Sequence, residues 1–143
     1  MKIRLLPAGQ KPPLYYPVYA GSVQAGFPSP ASDYLENDIN LHEALVKHPS
    51  STFFFTVEGE SMIGAHIPPK SILVVDKSIK PKNGSIVIAV VDGEFTAKRL
   101  VIQGTKRWLA PENPKYKPIM IDEFTQCEIW GVVTYIVTDA KLV

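Results

Sequence analysis

The sequence predicts a mainly β fold of antiparallel strands, with an extended N-terminal arm and one short helix. After residue 51, short runs of apolar and β-branched residues alternate with turn signals, a pattern typical of antiparallel β domains. Asp92-Gly93 joins two of these runs, and an Asp-Gly pair in that position is a strong hairpin signal. At 143 residues the chain is long enough for one domain with a proper core and too short for two.

The predicted arm covers residues 1–34 and is rich in proline. Its prolines are Pro7, Pro12, Pro13, Pro17, Pro28 and Pro30. Proline fixes its own φ angle and lacks an amide hydrogen, so this density prevents helix and disfavours a central strand. The arm therefore reads as an extended segment that becomes ordered on contact, with Tyr15, Tyr16 and Tyr19 available to attach it.

One helix is predicted, over residues 41–47. Asn40 can cap its N-terminus, and Glu43 stands three residues later as the capping-box partner. Pro49 ends it. His42 and His48 fall at the surface or end of this helix, and we expect both to be solvated because nothing nearby in the sequence orients them.

The strands follow the helix. The predicted strands cover residues 52–57, 71–75, 85–91, 94–102, 106–110, 117–121 and 127–138. With Asp92-Gly93 as the hairpin loop, Val91 faces Glu94, and counting back pairs Val87 with Lys98. Lys98 would then lie among apolar and small side chains, whereas Arg99 would point to the other face and to solvent.

Composition and charge exclude several classes of protein. The apolar fraction of 45% is that of a globular chain, and a net charge of +1 gives no overall basic field for nucleic acid. Lys70, Lys77, Lys80 and Lys82 form a local basic patch, for which a solvated face is the favoured interpretation; we expect no sequence-specific DNA binding. No run approaches the roughly 20 apolar residues of a membrane span, and no secretory signal peptide is recognisable, so we expect a cytoplasmic protein without a membrane partner.

The cysteine and histidine content predicts neither a disulfide nor a metal site. Cys127 is the only cysteine, and its strand-like surroundings favour a packed thiol over a reactive one. His42, His48 and His66 share no metal-ligand spacing. We also find no glycine-rich phosphate loop, and expect no metal and no cofactor.

The first 25 residues of the arm differ in charge from the remaining chain. They carry three basic side chains and no acidic one, giving +3. Residues 26–143 carry 12 basic and 14 acidic side chains, giving −2. Loss of residues 1–25 would therefore reverse the sign of the net charge.

Two residues could form a catalytic pair. Ser61 stands in a turn, Gly59-Glu60-Ser61-Met62, and Lys98 in a strand. A serine hydroxyl becomes a strong nucleophile when a base takes its proton, and lysine can be that base when burial keeps its amine neutral. The alternative is structural: turns favour serine, and a strand lysine commonly extends to water. From the residues alone the lysine that extends to water is the favoured interpretation, and neither residue establishes catalysis by itself.

Several segments in order resemble the LexA/UmuD family of self-cleaving Ser-Lys proteases, peptidase family S24. The resemblance begins at 25–31 and continues through His48-Pro49-Ser50, 59–63 and 73–76. It is densest over 92–100 and ends with Trp130-Gly131-Val132-Val133. Together these segments cover most of the chain.

The resemblance implies a fold, two catalytic residues and a cleavage site. It implies a single domain of curved antiparallel sheets like the LexA/UmuD C-terminal domain, with Ser61 as nucleophile and Lys98 as general base. Ala25-Gly26 aligns with the bond that is cut, which divides the chain into a removable arm, 1–25, and a peptidase domain, 26–143.

The resemblance also implies partners and a role in the SOS response to DNA damage. A RecA–single-stranded DNA filament would promote autocatalytic cleavage, and the protein would be a homodimer. The trimmed chain would serve a UmuC-type Y-family DNA polymerase as an accessory subunit in translesion synthesis, which is SOS mutagenesis.

Two other functions compete with this one. A LexA-like repressor needs a DNA-reading helix-turn-helix domain ahead of the peptidase, and 25 proline-rich residues cannot supply it, so a fragment of such a repressor is the form of this alternative that stays open. A non-catalytic β-rich binding module would use Ser61 and Lys98 only structurally and would stay intact under every condition. The peptide bond between the small residues Ala25 and Gly26, in a loose arm, has no role in such a module, and this favours self-cleavage.

Overall fold

The computed structural model describes residues 15–19, 25–26 and 35–142. The chain divides into two compact units, one up to residue 44 and one from residue 45 onwards. No helix among the described residues has both the length and the apolar character that a membrane crossing requires.

The first unit contains a two-stranded antiparallel sheet. Strand β1, Tyr15–Tyr19, pairs with β2, Leu35–Asn40. The pairing is irregular between Tyr16 and Val18, the position of Pro17, because proline cannot donate to the ladder. The arm therefore holds a strand after all, in a two-stranded sheet where both strands are edges, and β2 was not predicted from the sequence.

The predicted helix is present but shorter than expected. Helix α1 covers Leu41–Leu45, and the Asn40 side chain caps it by accepting a hydrogen bond from the Glu43 amide at 3.2 Å. The expected extension to residue 47 is wrong. The residue before a proline is disfavoured in helical geometry, and His48, which precedes Pro49, has φ −127° and ψ 84°.

The second unit is built on a seven-stranded antiparallel sheet. Its strands are β3 Thr52–Thr56, β4 Ile72–Asp76, β5 Ile86–Val91, β6 Glu94–Gln103, β7 Lys106–Ala110, β8 Ile119–Ile121 and β9 Cys127–Val137. In space they run β3-β4-β9-β5-β6-β7-β8. Short 3₁₀ turns lie at Pro49–Ser51, Ile63–Ala65 and Ala140–Leu142. The mainly β fold is confirmed, and all seven predicted strands occur within two residues of their expected ends.

The central hairpin has the predicted register. Val91 pairs with Glu94 and Val87 with Lys98. Asp92 and Gly93 have φ angles of 50° and 83°, the left-handed values that a two-residue type I′ turn requires. Turn chemistry thus fixed the position of every side chain along β5 and β6.

The core lies on both sides of β5. One buried cluster contains Met62, Ile67, Leu73, Val75 and Ile88; the other contains Val87, Ala89, Leu100, Leu109 and Val132. Successive residues of a strand point to opposite faces, so the adjacent burial of Val87, Ile88 and Ala89 marks β5 as a strand covered on both faces. Cys127 packs against the second cluster as a partly buried free thiol, and burial raises its pKa.

Candidate active site

Ser61 lies in a tight turn between β3 and the 3₁₀ turn Ile63–Ala65. Gly59 opens the turn with a φ of 81°, a backbone conformation that favours glycine. The next residue after the serine, Met62, is 2% exposed and packs in the first core cluster. A buried side chain at 62 therefore anchors the turn while Ser61 stays half-buried at the surface of a cleft.

Lys98 projects from β6, and its ammonium group meets Ser61. The side chain is buried, with 9% exposure, and Val87 lies directly across the strand pair. Lys98 Nζ is 2.9 Å from Ser61 Oγ. The structure thus brings together the two residues that the sequence singled out, which lie 37 positions apart, and the solvated-lysine interpretation is wrong.

Three oxygen atoms surround Lys98 Nζ. Besides Ser61 Oγ, these are Thr96 Oγ1 at 2.9 Å and the Ala97 carbonyl oxygen at 3.0 Å. A carbonyl oxygen can only accept, so one N–H of Lys98 must be donated to Ala97. If a second is donated to Thr96, the lone pair of a neutral amine is left to accept the proton of Ser61.

Burial changes the proton affinity of Lys98. Desolvation disfavours the ammonium form and lowers the pKa of Lys98 from its ordinary value of 10.5. Neither ion pair found among the described residues includes Lys98, so no carboxylate offsets this effect there. The neutral amine is consequently more populated near neutral pH than in an exposed lysine.

A cleft of about 230 Å³ opens beside Ser61. Its wall combines apolar side chains with the chain that leads from β3 into the turn. The lining residues are Phe55, Thr56, Val57, Glu58, Gly59, Ser61, Met62, Leu73, Ile88, Phe95, Thr96 and Ala97. A mixed apolar and backbone wall beside a serine suits an extended peptide segment better than a highly charged ligand.

Three further residues singled out from the sequence are Ala25, Gly26 and Arg99. Ala25 and Gly26 form an exposed bend in the first unit. Arg99 points to the other face of β6 and stays partly exposed, where it pairs with the Glu112 carboxylate and donates to the Gly84 carbonyl at 2.7 Å. Among the described residues, no group of histidine, cysteine and acidic side chains is suited to a metal ion.

His48 is oriented by a carboxylate, contrary to the sequence-based expectation. Its Nδ1 lies 2.6 Å from Asp76 Oδ2, and Asp76 is 3% exposed. Burial alone would raise the pKa of Asp76, but hydrogen bonds from Ser78, His48 and Ser51 outweigh it and hold that pKa far below its usual range. Asp76 ends β4 opposite Thr52, whereas the cleft lies beyond the other end of β3, so this cluster stabilises the fold rather than the candidate site.

Two contributions to the site were not assigned from the sequence. Thr96 had no assigned role, although alternation along a strand puts it on the same face as Lys98. Glu112 and Asn113 contact the Ser61 turn from more than 50 positions away, in a loop that shows no local motif.

Comparison with known proteins identifies the family. Residues 17–134 match the Peptidase S24-like family. Protein MucA of Salmonella typhimurium is 44% identical over 120 residues, which is 83% of this chain and 82% of MucA. Protein ImpA of Escherichia coli is 41% identical over 123 residues, 85% of this chain and 82% of ImpA. Protein SamA of Salmonella typhimurium is 42% identical over 118 residues, 82% of this chain and 81% of SamA. The LexA/UmuD resemblance is confirmed, and the chain belongs to the Peptidase S24-like family.

Proposed function

We propose that this protein cleaves its own chain between Ala25 and Gly26, with Ser61 as nucleophile and Lys98 as general base. The observation that carries the proposal is the 2.9 Å contact between Lys98 Nζ and Ser61 Oγ. Burial lowers the pKa of the lysine, so its amine can act as a base at that distance. Membership of a peptidase family supports the same reaction class.

In the first half-reaction the neutral amine of Lys98 takes the proton of Ser61. Ser61 Oγ attacks the carbonyl carbon of Ala25, and the carbonyl oxygen becomes an oxyanion. When this tetrahedral intermediate collapses, the bond to the Gly26 nitrogen breaks. Lys98 gives its new proton to that nitrogen, which leaves as an amine, and Ala25 stays attached to Ser61 as an ester.

In the second half-reaction water replaces the leaving amine. Lys98, neutral again, takes a proton from water, and the hydroxide attacks the ester carbon. Collapse breaks the bond to Ser61 Oγ, which recovers its proton from Lys98. The products are residues 1–25 with a new carboxylate and residues 26–143 with a new amine, and the catalytic pair is restored.

The biological role that we propose is that of an SOS-response mutagenesis protein. In this role a RecA–single-stranded DNA filament promotes the cut. The trimmed chain, a homodimer, serves a UmuC-type Y-family polymerase as an accessory subunit. The resemblance to the LexA/UmuD family supports this role, and so does the change of net charge from +1 to −2, because reversing the field of a protein changes which partners it attracts.

The test compares three single variants with the wild-type chain. Each protein is incubated with RecA, single-stranded DNA and a nucleotide that supports filament formation, and its mass is followed. Ser61→Ala and Lys98→Ala should stay intact, whereas Lys77→Ala, which removes an exposed lysine, should be cut like the wild type. Cleavage in Ser61→Ala or Lys98→Ala would refute the assignment of the pair. Residues 26–143 should then bind the polymerase more tightly than Ser61→Ala does, and equal binding would refute the accessory role of the trimmed form.

A further inference from the structure

The loop after β7 holds the Ser61 turn through three hydrogen bonds. The Glu112 amide donates to the Ser61 carbonyl at 2.8 Å, and the Gly64 amide donates to the Glu112 carbonyl at 2.8 Å. The Asn113 side chain donates through Nδ2 to the Glu60 carbonyl at 2.9 Å. Two successive carbonyls of the turn, those of Glu60 and Ser61, are therefore bound from one side.

Asn113 is built into this contact. Its side chain is 7% exposed, and its Oδ1 accepts the Lys115 amide at 3.0 Å, which fixes the amide group so that Nδ2 faces Glu60. Asparagine side chains are mostly exposed, and a buried one needs hydrogen-bond partners. Here both the Nδ2 donor and the Oδ1 acceptor of Asn113 have a partner. The loop is therefore held by hydrogen bonds on both sides of the residue that touches the turn.

The same loop is bound to the strand that carries Lys98. The Glu112 carboxylate pairs with Arg99, the residue after Lys98, and Arg99 lies opposite Ala110 at the end of β7. A single short segment thus contacts both the turn of the nucleophile and the strand of the base.

The bound carbonyls also decide where the Ser61 amide points. In a trans peptide the C=O and N–H groups point in opposite directions, so a Glu60 carbonyl directed at Asn113 turns the Ser61 N–H away from the loop. Within the described part of the chain this N–H donates to no other residue. It is therefore available to the oxygen of a peptide carbonyl that Ser61 attacks.

We propose that Asn113 is a positioning residue for the nucleophile. Together with the Glu112 backbone it holds the Glu60 and Ser61 carbonyls, keeping Ser61 Oγ within reach of Lys98 and the Ser61 N–H directed toward the substrate. The inference rests on the proposed function, because it assigns Asn113 to the same reaction. Gly64 fits this arrangement, since a Cβ atom there would lie 2.5 Å from the Glu112 carbonyl oxygen.

The test uses Asn113→Asp, with Asn83→Asp as the matched control. Aspartate at 113 can still accept the Lys115 amide, but it cannot donate to Glu60 and places a negative oxygen against that carbonyl. Asn83 also lies in a turn, where its Oδ1 accepts the Ile102 amide at 2.8 Å, and its substitution adds the same charge away from Ser61. The rate of self-cleavage is measured against pH in all three proteins, at a temperature where each is folded.

We expect Asn113→Asp to lower the maximal cleavage rate by about 100-fold, the cost of a displacement of about 1 Å in a catalytic group. The pH midpoint should not rise, because Lys98 stays buried and burial is what lowers its pKa. A general loosening of the fold would instead hydrate Lys98, raise its pKa and move the midpoint upward. Asn83→Asp should match the wild type. A wild-type rate in Asn113→Asp, or a loss of rate accompanied by a raised midpoint, would overturn the proposal.

A second measurement separates this inference from the proposed function. A fluorophosphonate reagent modifies an activated serine without any cleavage of the chain, and Ser61→Ala shows which part of the labelling is specific. Asn113→Asp should be labelled about 100-fold more slowly than the wild type, and equal labelling would overturn the positioning role. An uncut wild-type chain whose Ser61 is nevertheless labelled would refute self-cleavage alone. If Asn113→Asp does not fold, Asn113→Ser, which is too short to reach Glu60, replaces it.

Discussion

Replacing Thr96 by valine should move the pH dependence of self-cleavage to lower pH. The Thr96 hydroxyl lies 2.9 Å from Lys98 Nζ and can accept a hydrogen bond from it. Valine has nearly the same shape but no hydroxyl, so the change removes this bond without opening a cavity. The bond stabilises the ammonium more than the neutral amine, and its loss should lower the pKa of Lys98 further.

The size of the effect follows from the strength of that hydrogen bond. A hydrogen bond from a charged group contributes about 1.5–3 kcal/mol and one between neutral groups about 0.5–1.5 kcal/mol. The difference of about 1–1.5 kcal/mol corresponds to a midpoint lower by about one pH unit. The maximal rate should also fall, by up to about tenfold, because the amine loses one of the bonds that direct its lone pair at Ser61.

The assay is the rate of fragment appearance, followed by intact mass over a series of pH values. Thr96→Ser is the matched control, since it keeps the hydroxyl and should keep the wild-type midpoint. A midpoint in Thr96→Val that is unchanged or higher would refute the reasoning, because it would mean that the hydroxyl does not stabilise the ammonium form.

Three further predictions concern stability, each measured as the free energy of unfolding in urea. Lys98→Met should stabilise the protein at neutral pH, since it removes the cost of burying an ammonium group. In the wild type the unfolded chain keeps the Lys98 proton up to about pH 10.5, whereas the folded chain loses it at the lowered pKa, so the free energy of unfolding should rise with pH between these two values. Lys98→Met should show no such rise. Asp76→Asn should cost about 3 kcal/mol at neutral pH. Because the folded pKa of Asp76 is depressed, the wild-type advantage should be present above pH 4 and disappear as the pH falls below it, whereas an advantage independent of pH would contradict this account. Ile67→Ala should cost about 2–5 kcal/mol, since Ile67 is fully buried; a loss below about 1 kcal/mol would mean that the cluster repacks.

Local chemistry explains why the strands of the large sheet could be predicted. The Asp92-Gly93 turn and the apolar runs beside it are sequence-local signals, and together they fixed the register of β5 and β6. Strand β2 lacks such a signal: Leu35–Asn40 is mostly polar, and its pairing with β1 depends on residues about 20 positions away. Propensity alone could not indicate that pairing.

The candidate site likewise combines features that local sequence signals indicate with contacts between residues far apart in the sequence. The hairpin register placed Lys98 opposite Val87 and so pointed to apolar surroundings, but it did not exclude a side chain that extends to water. The contact between Ser61 and Lys98 joins separate elements, and only the family resemblance pointed to it before the structure did. Asn113 lies 53 residues from the Glu60 carbonyl that it binds, in a loop without periodicity, so no local pattern could assign it. His48 and Asp76 were likewise missed because their contact spans 28 residues.

In the proposed reaction the buried Lys98 activates Ser61 against the Ala25–Gly26 bond. The most direct measurement is the intact mass of the purified full chain after incubation at neutral and at raised pH, without any partner. We expect a fragment that begins at Gly26 and forms faster as the pH rises, because deprotonation of Lys98 supplies the base. A chain that stays intact at every pH, or one that is cut at another bond, would contradict the proposed reaction.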